Sequence, residues 1–248
     1  YNASHHANEW ITSLLLVKFV EMFCHALVTE RRLGDYDPRE VFDSASIYIV
    51  PMVDPDGVDL VTGQIPAGST LYENAEKLNT FGLPFPEGWK ANIAGTDLNL
   101  NSPAGWEQAR RIKFAQGFTS PAPRDFVGDY PLSAPETRAM AQFTKNISPR
   151  LILAYHSQGE IIYWKFADYD PPCSFETAQR FSAVSGYSVE TTPENSGYAG
   201  YKDWFIQENN LPGYTIEVGR GASPLPLEQF PKIFSDNLGI LMLAPLLA

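Results

Sequence analysis

The sequence has few cysteines, a deficit of basic residues and no long apolar run. Its 248 residues include two cysteines, Cys24 and Cys173, which lie far apart and do not have the spacing of a disulfide framework. We therefore expect both to be free. The formal net charge is −11, which argues against nucleic acid as a partner because phosphate binding needs clustered Lys and Arg. No apolar run reaches the ~18 residues that a membrane span needs, so we expect no membrane span.

The remaining pattern predicts one α/β domain over residues 1–248. Three apolar, β-branched segments have the length of buried strands, and five longer segments have the length of helices. Apolar strands separated by helices predict a mixed, mostly parallel central sheet with helices on both faces. The predicted strands are Ser46–Val53, Arg150–Tyr155 and Tyr214–Val218, and the predicted helices are Trp10–Leu27, residues 133 to about 146, Ser174–Ser185, Gly200–Asn209 and Leu227–Leu247.

Several local signals refine this assignment. Asp54-Pro55-Asp56-Gly57 is a turn signal after the first predicted strand, and residues 58–132 are rich in Gly, Pro and Asn, which predicts long loops. Ser133 and Glu136 have the spacing of a capping box. Pro231 and Pro245 predict breaks in the last helix.

The strongest chemical signal is His6-Ala7-Asn8-Glu9. Zinc binds nitrogen and carboxylate ligands, and a catalytic site keeps one position open. His156 directly follows the strand of residues 150–155, at the kind of strand end where α/β sheets hold ligands, so it is the candidate for a third ligand. Two alternatives remain: a lone His-x-x-Glu occurs by chance in many proteins, and His5 competes with His6.

A second signal is Glu217 within Tyr214–Val218, because a carboxylate in an apolar strand is costly unless it is paired or used. It is either a general base whose pKa burial raises toward neutrality, or a strand residue that faces solvent. The segment Gly95–Asn101 (GTDLNLN) is by itself a common type of polar loop.

Taken in order, these segments resemble the zinc carboxypeptidase family. The order is HxxE, WKxN, GxDxNxN, a strand ending in His-Ser, and a strand carrying Glu. The residues of several segments are also similar to those of the bacterial branch of γ-D-glutamyl-diamino acid endopeptidases, which cut peptidoglycan stem peptides. The segments that carry this second resemblance are HHANEWITS, VDPDGVDLVTG, AYHSQGEIIYW, SGYAGYKDW and GYTIEVGRG.

The resemblance implies roles for particular residues. Glu217 matches the family's catalytic glutamate, and Lys90 falls where the family has the arginine that polarises the scissile carbonyl. Asn99 matches a substrate-binding asparagine, and Tyr198 is the candidate for the substrate-capping tyrosine. The family's three Zn²⁺ ligands are matched by His6, Glu9 and His156.

The departures from the family pattern point to the substrate. Asn8, Lys90 and Leu100 stand where the family has arginines, and neither Lys nor Leu reproduces the two-pronged grip of a guanidinium on a carboxylate. The clamp on a C-terminal carboxylate is thus largely lost. The chain also begins close to the first zinc motif, so we expect the N-terminal part of the family's domain to be missing from this chain.

These observations predict a zinc peptidase that hydrolyses the γ-D-glutamyl–diamino acid bond of a peptidoglycan-derived peptide. The alternatives are a metallocarboxypeptidase acting on ordinary peptides and a non-catalytic binding module on the same fold. A purely structural zinc site is disfavoured, because such sites usually have four ligands rich in Cys.

Overall fold

The structure is a computed structural model that describes residues 1–193 and 196–248. Within these ranges the helices are α1 Ile11–Val28, α2 Pro38–Ser44, α3 Pro55–Val61, α4 Thr70–Leu78, α5 Trp106–Ala115, α6 Pro135–Ile147, α7 Ser174–Ser185, α8 Tyr201–Asn209 and α9 Phe230–Leu247. The strands are β1 Asn2–Ala3, β2 Ile152–His156, β3 Ile161–Tyr163, β4 Ser188–Glu190 and β5 Gly213–Glu217.

The strands form one mixed sheet in the order β1-β2-β5-β3-β4. The pairs β1–β2, β2–β5 and β3–β4 are parallel, and β3 runs antiparallel to β5. This confirms the predicted fold class. β3 and β4 were not expected, because each has three residues and gives too short a pattern to recognise.

The alternation along β2 divides the core between the two faces of the sheet. Leu153 and Tyr155 belong to a cluster with α1, α7 and α9, whereas Ile152 and Ala154 belong to a cluster with α6 and α8. Side chains of successive strand residues point to opposite faces, so a strand covered on both sides must be apolar throughout. This is why the segment around β2 has an uninterrupted apolar sequence.

Two helical segments, Ile11–Val28 and Leu227–Leu247, are long and apolar enough to span a membrane by length and composition. Both contribute side chains to the larger core cluster, where Leu15 of α1 and Leu241 of α9 are fully buried. A buried core helix meets the same criteria as a membrane span. Pro231 and Pro245 lie in the first and last turns of α9 and do not break it, so the predicted breaks are wrong.

The prediction of a buried strand at residues 46–53 is wrong. This segment lies beside β1 and forms one isolated bridge, in which the backbone of Val50 bonds to Tyr1 and Ala3. Tyr48 is 49% exposed. Pro51 has no N–H to donate to a ladder, and β1 has only two residues with which to pair.

Helices were also underestimated between residues 54 and 132. Asp54 is not in a turn but is the N-cap of α3: its side chain accepts from Gly57 N at 3.1 Å, and Pro55 occupies the first turn. Helices α4 and α5 lie in the segment predicted as loop. Ser133 does not cap α6, whose N-cap is Ala134; its hydroxyl instead accepts from Asn101 Nδ2 at 2.9 Å.

Both cysteines are free, as expected, and both are exposed.

Candidate metal centre

The register of two parallel strands places His156 beside Glu217. These two residues are partners at the C-terminal ends of β2 and β5. Parallel strands present their carboxyl ends at one edge of the sheet, where side chains from distant parts of the chain meet. This edge is the floor of a cavity of about 360 Å³.

His6 and Glu9 reach the same edge from the segment that follows β1. His6 is the N-cap and Glu9 the last residue of a short 3-10 turn, Ala7–Glu9, in which Ala7 N donates to Lys90 O at 3.1 Å. The hydroxyl of Ser4 lies 2.7 Å from that of Ser13, which ties the turn to the first turn of α1. Both His6 and Glu9 are buried, and Ala7 of this turn packs in a core cluster with Leu60 and Val61 of α3.

The three side chains converge on one point. His6 Nδ1 lies 2.9 Å from Glu9 Oε1, and His156 Nδ1 lies 3.0 Å from Glu9 Oε2 and 3.2 Å from His6 Nδ1. One potential ligand atom from each residue lies within 4.8 Å of the others. Three buried nitrogen and carboxylate donors that face one another fit a zinc ion with a coordination position left over.

Asp97 fixes the orientation of His6. Its Oδ1 lies 3.0 Å from His6 Nε2, and its Oδ2 accepts from Asp125 N at 3.2 Å. With Nε2 directed at a carboxylate, Nδ1 is the nitrogen left to bind a metal. Sequence reasoning missed Asp97, although it stands in the Gly95–Asn101 motif, because the motif does not show where the loop folds back.

Electrostatics favour a doubly protonated His6 when no metal is bound. Burial alone lowers its pKa, but the carboxylates of Glu9 and Asp97 outweigh this effect and raise the pKa to about 9. Burial likewise opposes ionisation of Glu9, yet the two histidines hold its pKa well below the usual value. The centre therefore carries an additional proton on His6 that a metal ion must displace.

His5, the competitor, is not in this group. Its ring stacks on that of His156 with centroids 5.4 Å apart and also packs against Tyr201. Burial lowers its pKa well below the usual value, so it is held as a neutral ring. The structure thus favours His6 over His5 as a candidate ligand.

Glu217 faces the cavity rather than bulk solvent. Burial, with a contribution from the nearby charge of Glu9, raises its pKa to about 8. Thr215, two residues earlier on the same face of β5, also lines the cavity. Glu217 is therefore a carboxyl group poised to exchange a proton near neutral pH.

Lys90 and Asn99 also line the cavity. Lys90 Nζ lies 3.8 Å from Glu9 Oε1. Burial opposes its charge, but the carboxylates of Glu9 and Asp97 raise its pKa, so it is a cation. Asn99 Oδ1 accepts from Tyr201 N at 3.1 Å, which fixes the start of α8 and leaves the amide nitrogen of Asn99 directed elsewhere.

The structure does not bring Tyr198 into the cavity. Its ring packs against Phe166 with centroids 6.3 Å apart and lies over Gly105, where an added Cβ would meet Tyr198 Cδ1 at 2.7 Å. The aromatic ring is held in apolar packing, which is the physical reason that it does not cap the site here. From the same loop, Thr192, Pro193 and Ser196 line the cavity instead.

Sequence reasoning also missed five other charged residues at the cavity wall, which are Lys113, Arg124, Asp125, Lys202 and Asp203. Lys202 and Asp203 lie in the SGYAGYKDW segment, but the segment does not show that they face the cavity. A larger cavity of about 460 Å³ near Tyr1 and α6 is lined by no His, Asp or Glu among the described residues, so it has no comparable chemistry.

Comparisons with known proteins show which family and which relatives the chain is similar to. The family model for zinc carboxypeptidase matches residues 1–239. The chain is 41% identical over 242 residues to a protein of Lysinibacillus sphaericus named γ-D-glutamyl-L-diamino acid endopeptidase 1, covering 98% of this chain and 59% of that protein. It is 40% identical over 240 residues to the uncharacterized protein YqgT of Bacillus subtilis, covering 97% of this chain and 62% of that protein. The chain thus spans about three-fifths of the length of these relatives.

Solved structures show the same fold. Bovine thrombin-activatable fibrinolysis inhibitor superposes with a TM-score of 0.72 at 18% identity, covering 98% of this chain and 79% of that chain. The murein-tripeptide amidase MpaA of Escherichia coli O157 superposes with a TM-score of 0.58 at 20% identity, covering 97% of this chain and 79% of that chain. At these identities the likeness concerns the fold.

Proposed function

Because this chain belongs to the zinc carboxypeptidase family, we propose that it is a zinc-dependent peptidase that hydrolyses the γ-D-glutamyl–diamino acid bond of peptidoglycan stem peptides. The observation that carries the proposal is the convergence of three buried candidate ligands with a carboxyl group of raised pKa in one cavity. The family's metal is zinc, and the donor set formed by His6, Glu9 and His156 fits it.

The chemistry divides between the metal and the chain. Zinc supplies a Lewis acid beside which water becomes nucleophilic near neutral pH. In this proposal Glu217 accepts the proton of the attacking water and then delivers it to the leaving amine. Lys90 donates to the oxygen of the scissile amide as that oxygen gains negative charge. Asn99 positions the polar backbone of the substrate.

Two features support the diamino acid substrate. The Lysinibacillus sphaericus relative, which is named for this bond, is similar to nearly the whole chain. Leu100 replaces a family arginine, so no guanidinium is present at that position to bind a terminal carboxylate. A substrate whose chain continues beyond the scissile bond does not need a guanidinium there.

One observation favours the second candidate, a metallocarboxypeptidase on ordinary peptides. Arg124 places a guanidinium at the cavity wall and is 44% exposed in its side chain. It is, however, ion-paired with Asp125, which reduces its capacity to grip a substrate carboxylate. We therefore place this function second.

A tetrapeptide separates the two functions. The zinc-loaded chain is incubated with L-Ala-γ-D-Glu-diaminopimelate-D-Ala and with a dansylated peptide that ends in an ordinary L-amino acid, and products are identified by mass spectrometry. We expect L-Ala-D-Glu and diaminopimelate-D-Ala, with metal content near one zinc per chain. Release of the terminal residue from the dansylated peptide, with an intact tetrapeptide, would support the carboxypeptidase instead.

A further inference from the structure

A short segment of chain crosses the end of the strand that carries the proposed base. Residues 157–160 connect the end of β2 to the start of β3, and β5 lies between these two strands in the sheet. Glu217, the last residue of β5, is therefore paired with His156 on one side and with Ile161 on the other. We call residues 157–160 the crossover segment.

The crossover segment lies against Glu217. A Cβ added to Gly159 would lie 3.8 Å from Glu217 Cβ, which is van der Waals contact. Gly159 has a φ of +148°, a conformation that residues with a Cβ rarely adopt, and its N–H donates to Gly219 O at 2.8 Å. A shift of this segment would therefore move the surface against which the Glu217 side chain rests.

The end of the crossover segment nearest the metal centre is fixed by Ser157. Its backbone N–H donates to Glu9 Oε2 at 3.1 Å, and its hydroxyl lies 2.9 Å from that of Ser223. Ser157 is only 7% exposed. This end is thus joined both to a candidate zinc ligand and to the loop that follows β5.

The other end is fixed by charge. Glu160 Oε2 accepts from Arg220 Nε at 2.7 Å, and Arg220 Nη2 lies 2.6 Å from the same oxygen. Glu160 Oε1 accepts from Nζ of Lys232, a residue of α9, at 3.1 Å. Burial opposes the ionisation of Glu160, but the hydrogen bonds from Lys232 and Arg220 outweigh this effect and lower its pKa. One carboxylate thus joins the crossover segment, the loop after β5 and α9.

Three observations distinguish the Glu160–Arg220 contact from an isolated surface ion pair, which contributes little. Glu160 has a left-handed backbone with a φ of +57°, a strained conformation that persists only where the surroundings hold it. Its carboxylate is shared by two cations. Gln229 fixes the backbone of the partner, because its side chain accepts from Arg220 N at 3.0 Å and donates to Arg220 O at 2.7 Å.

On the basis of the proposed function, we propose that Glu160 and Arg220 are positioning residues that hold the crossover segment against Glu217 and so keep its carboxyl group aimed at the attacking water. They act through Gly159 and not on the substrate. A proton acceptor must lie within hydrogen-bond distance of the proton that it accepts, and a displacement of about 1 Å can reduce the rate by about 100-fold. Loss of the pair should therefore lower kcat without changing KM or zinc binding.

The first test removes the charge of Glu160 and keeps the size of its side chain. In Glu160→Gln we expect kcat for L-Ala-γ-D-Glu-diaminopimelate-D-Ala to fall about tenfold, with KM and zinc content unchanged. Lys18→Gln, which breaks an exposed ion pair with Glu21 on α1, is the matched control and should keep the parental kcat. A parental kcat in Glu160→Gln, or a fall accompanied by loss of zinc or a raised KM, would overturn the inference.

Variants of Arg220 provide a second test. Arg220→Gln should lower kcat, and Arg220→Lys, which retains a cation, should have an intermediate kcat. Because the two residues act through one contact, Glu160→Gln/Arg220→Gln should match Glu160→Gln within about twofold. Effects that multiply in the double variant, or an Arg220→Lys variant as slow as Arg220→Gln, would contradict the proposal.

Hydrogen exchange separates this inference from the proposed function. If the parent chain does not hydrolyse the peptide, the proposed function fails, but the amide of Gly159 still reports on the crossover segment because it is bonded to Gly219 O. In the zinc-loaded chain we expect this amide to exchange at least about tenfold faster in Glu160→Gln than in the parent or in Lys18→Gln, as measured by NMR. Equal exchange in all three would refute the role assigned to Glu160.

Discussion

Glu217 and His156 are direct partners in the parallel pairing of β5 and β2, although they lie 61 positions apart in the chain. This register places a carboxyl group whose pKa is raised to about 8 next to a candidate metal ligand. The pairing therefore unites a proton acceptor and a metal site at one strand edge.

Replacement of Glu217 by Gln tests the proposed proton transfer. The amide has a similar shape but cannot accept the proton, so we expect kcat to fall by about 10²- to 10⁴-fold while the zinc content stays unchanged. Metal analysis and steady-state hydrolysis measure the two effects. Thr62→Ser, at a helix end away from the cavity, is the control. Full activity in Glu217→Gln would remove this residue from the mechanism.

Replacement of Asp97 by Asn tests the support of His6. The amide side chain would keep the size of the carboxylate but lose the charge that orients the imidazole, so zinc affinity should fall by about 10- to 100-fold. Competition with a chelator of known affinity measures the change. Asp59→Asn, which alters an exposed carboxylate on α3, should bind zinc as the parent does. Equal affinity in the two variants would contradict the role assigned to Asp97.

Zinc binding should release protons. In the metal-free chain the pKa of His6 is raised to about 9, so His6 is doubly protonated at pH 7 and must lose the proton on Nδ1 before it can bind a metal. We expect the apparent affinity to increase as pH rises from 7 and to level off above about 9. Calorimetric titration in buffers of different ionisation enthalpy counts the protons. Binding without proton release at pH 7 would show that His6 is neutral or is not a ligand.

Asn101 should contribute to stability rather than to metal binding. Its fully buried amide donates to Val127 O at 2.7 Å and to Ser133 Oγ at 2.9 Å, and its oxygen accepts from Ala134 N and from Thr137 Oγ1. Asn101→Ala leaves several of these groups unpaired, so the free energy of unfolding should fall by about 2 to 4 kcal/mol.

Chemical denaturation measures this loss. Asn146→Ala, at an exposed position of α6, should change the free energy of unfolding by no more than about 0.5 kcal/mol. If Asn101→Ala is as stable as this control, the network around Asn101 does not support the loop that carries Asp97.

Local patterns were sufficient for some elements and misleading for others. The apolar segments at α1, α7, β2 and β5 were predicted within about two residues, because burial on a helix face or in a central strand leaves a periodic signal. Residues 46–53 have the same apolar composition but pair through one bridge. Composition shows that a segment can form a strand, whereas the neighbouring backbone decides whether it does.

The sequence by itself determined the α/β class and, through ordered motifs, the candidate ligands His6, Glu9 and His156 and the candidate base Glu217. The tertiary structure favours His6 over His5 as a candidate ligand, places Asp97 beside His6, and holds Tyr198 in apolar packing. The physical reason is range: periodicity and capping act over a few residues, whereas a binding site depends on strand register and side-chain direction between residues as far apart as His6 and His156, which meet at 3.2 Å.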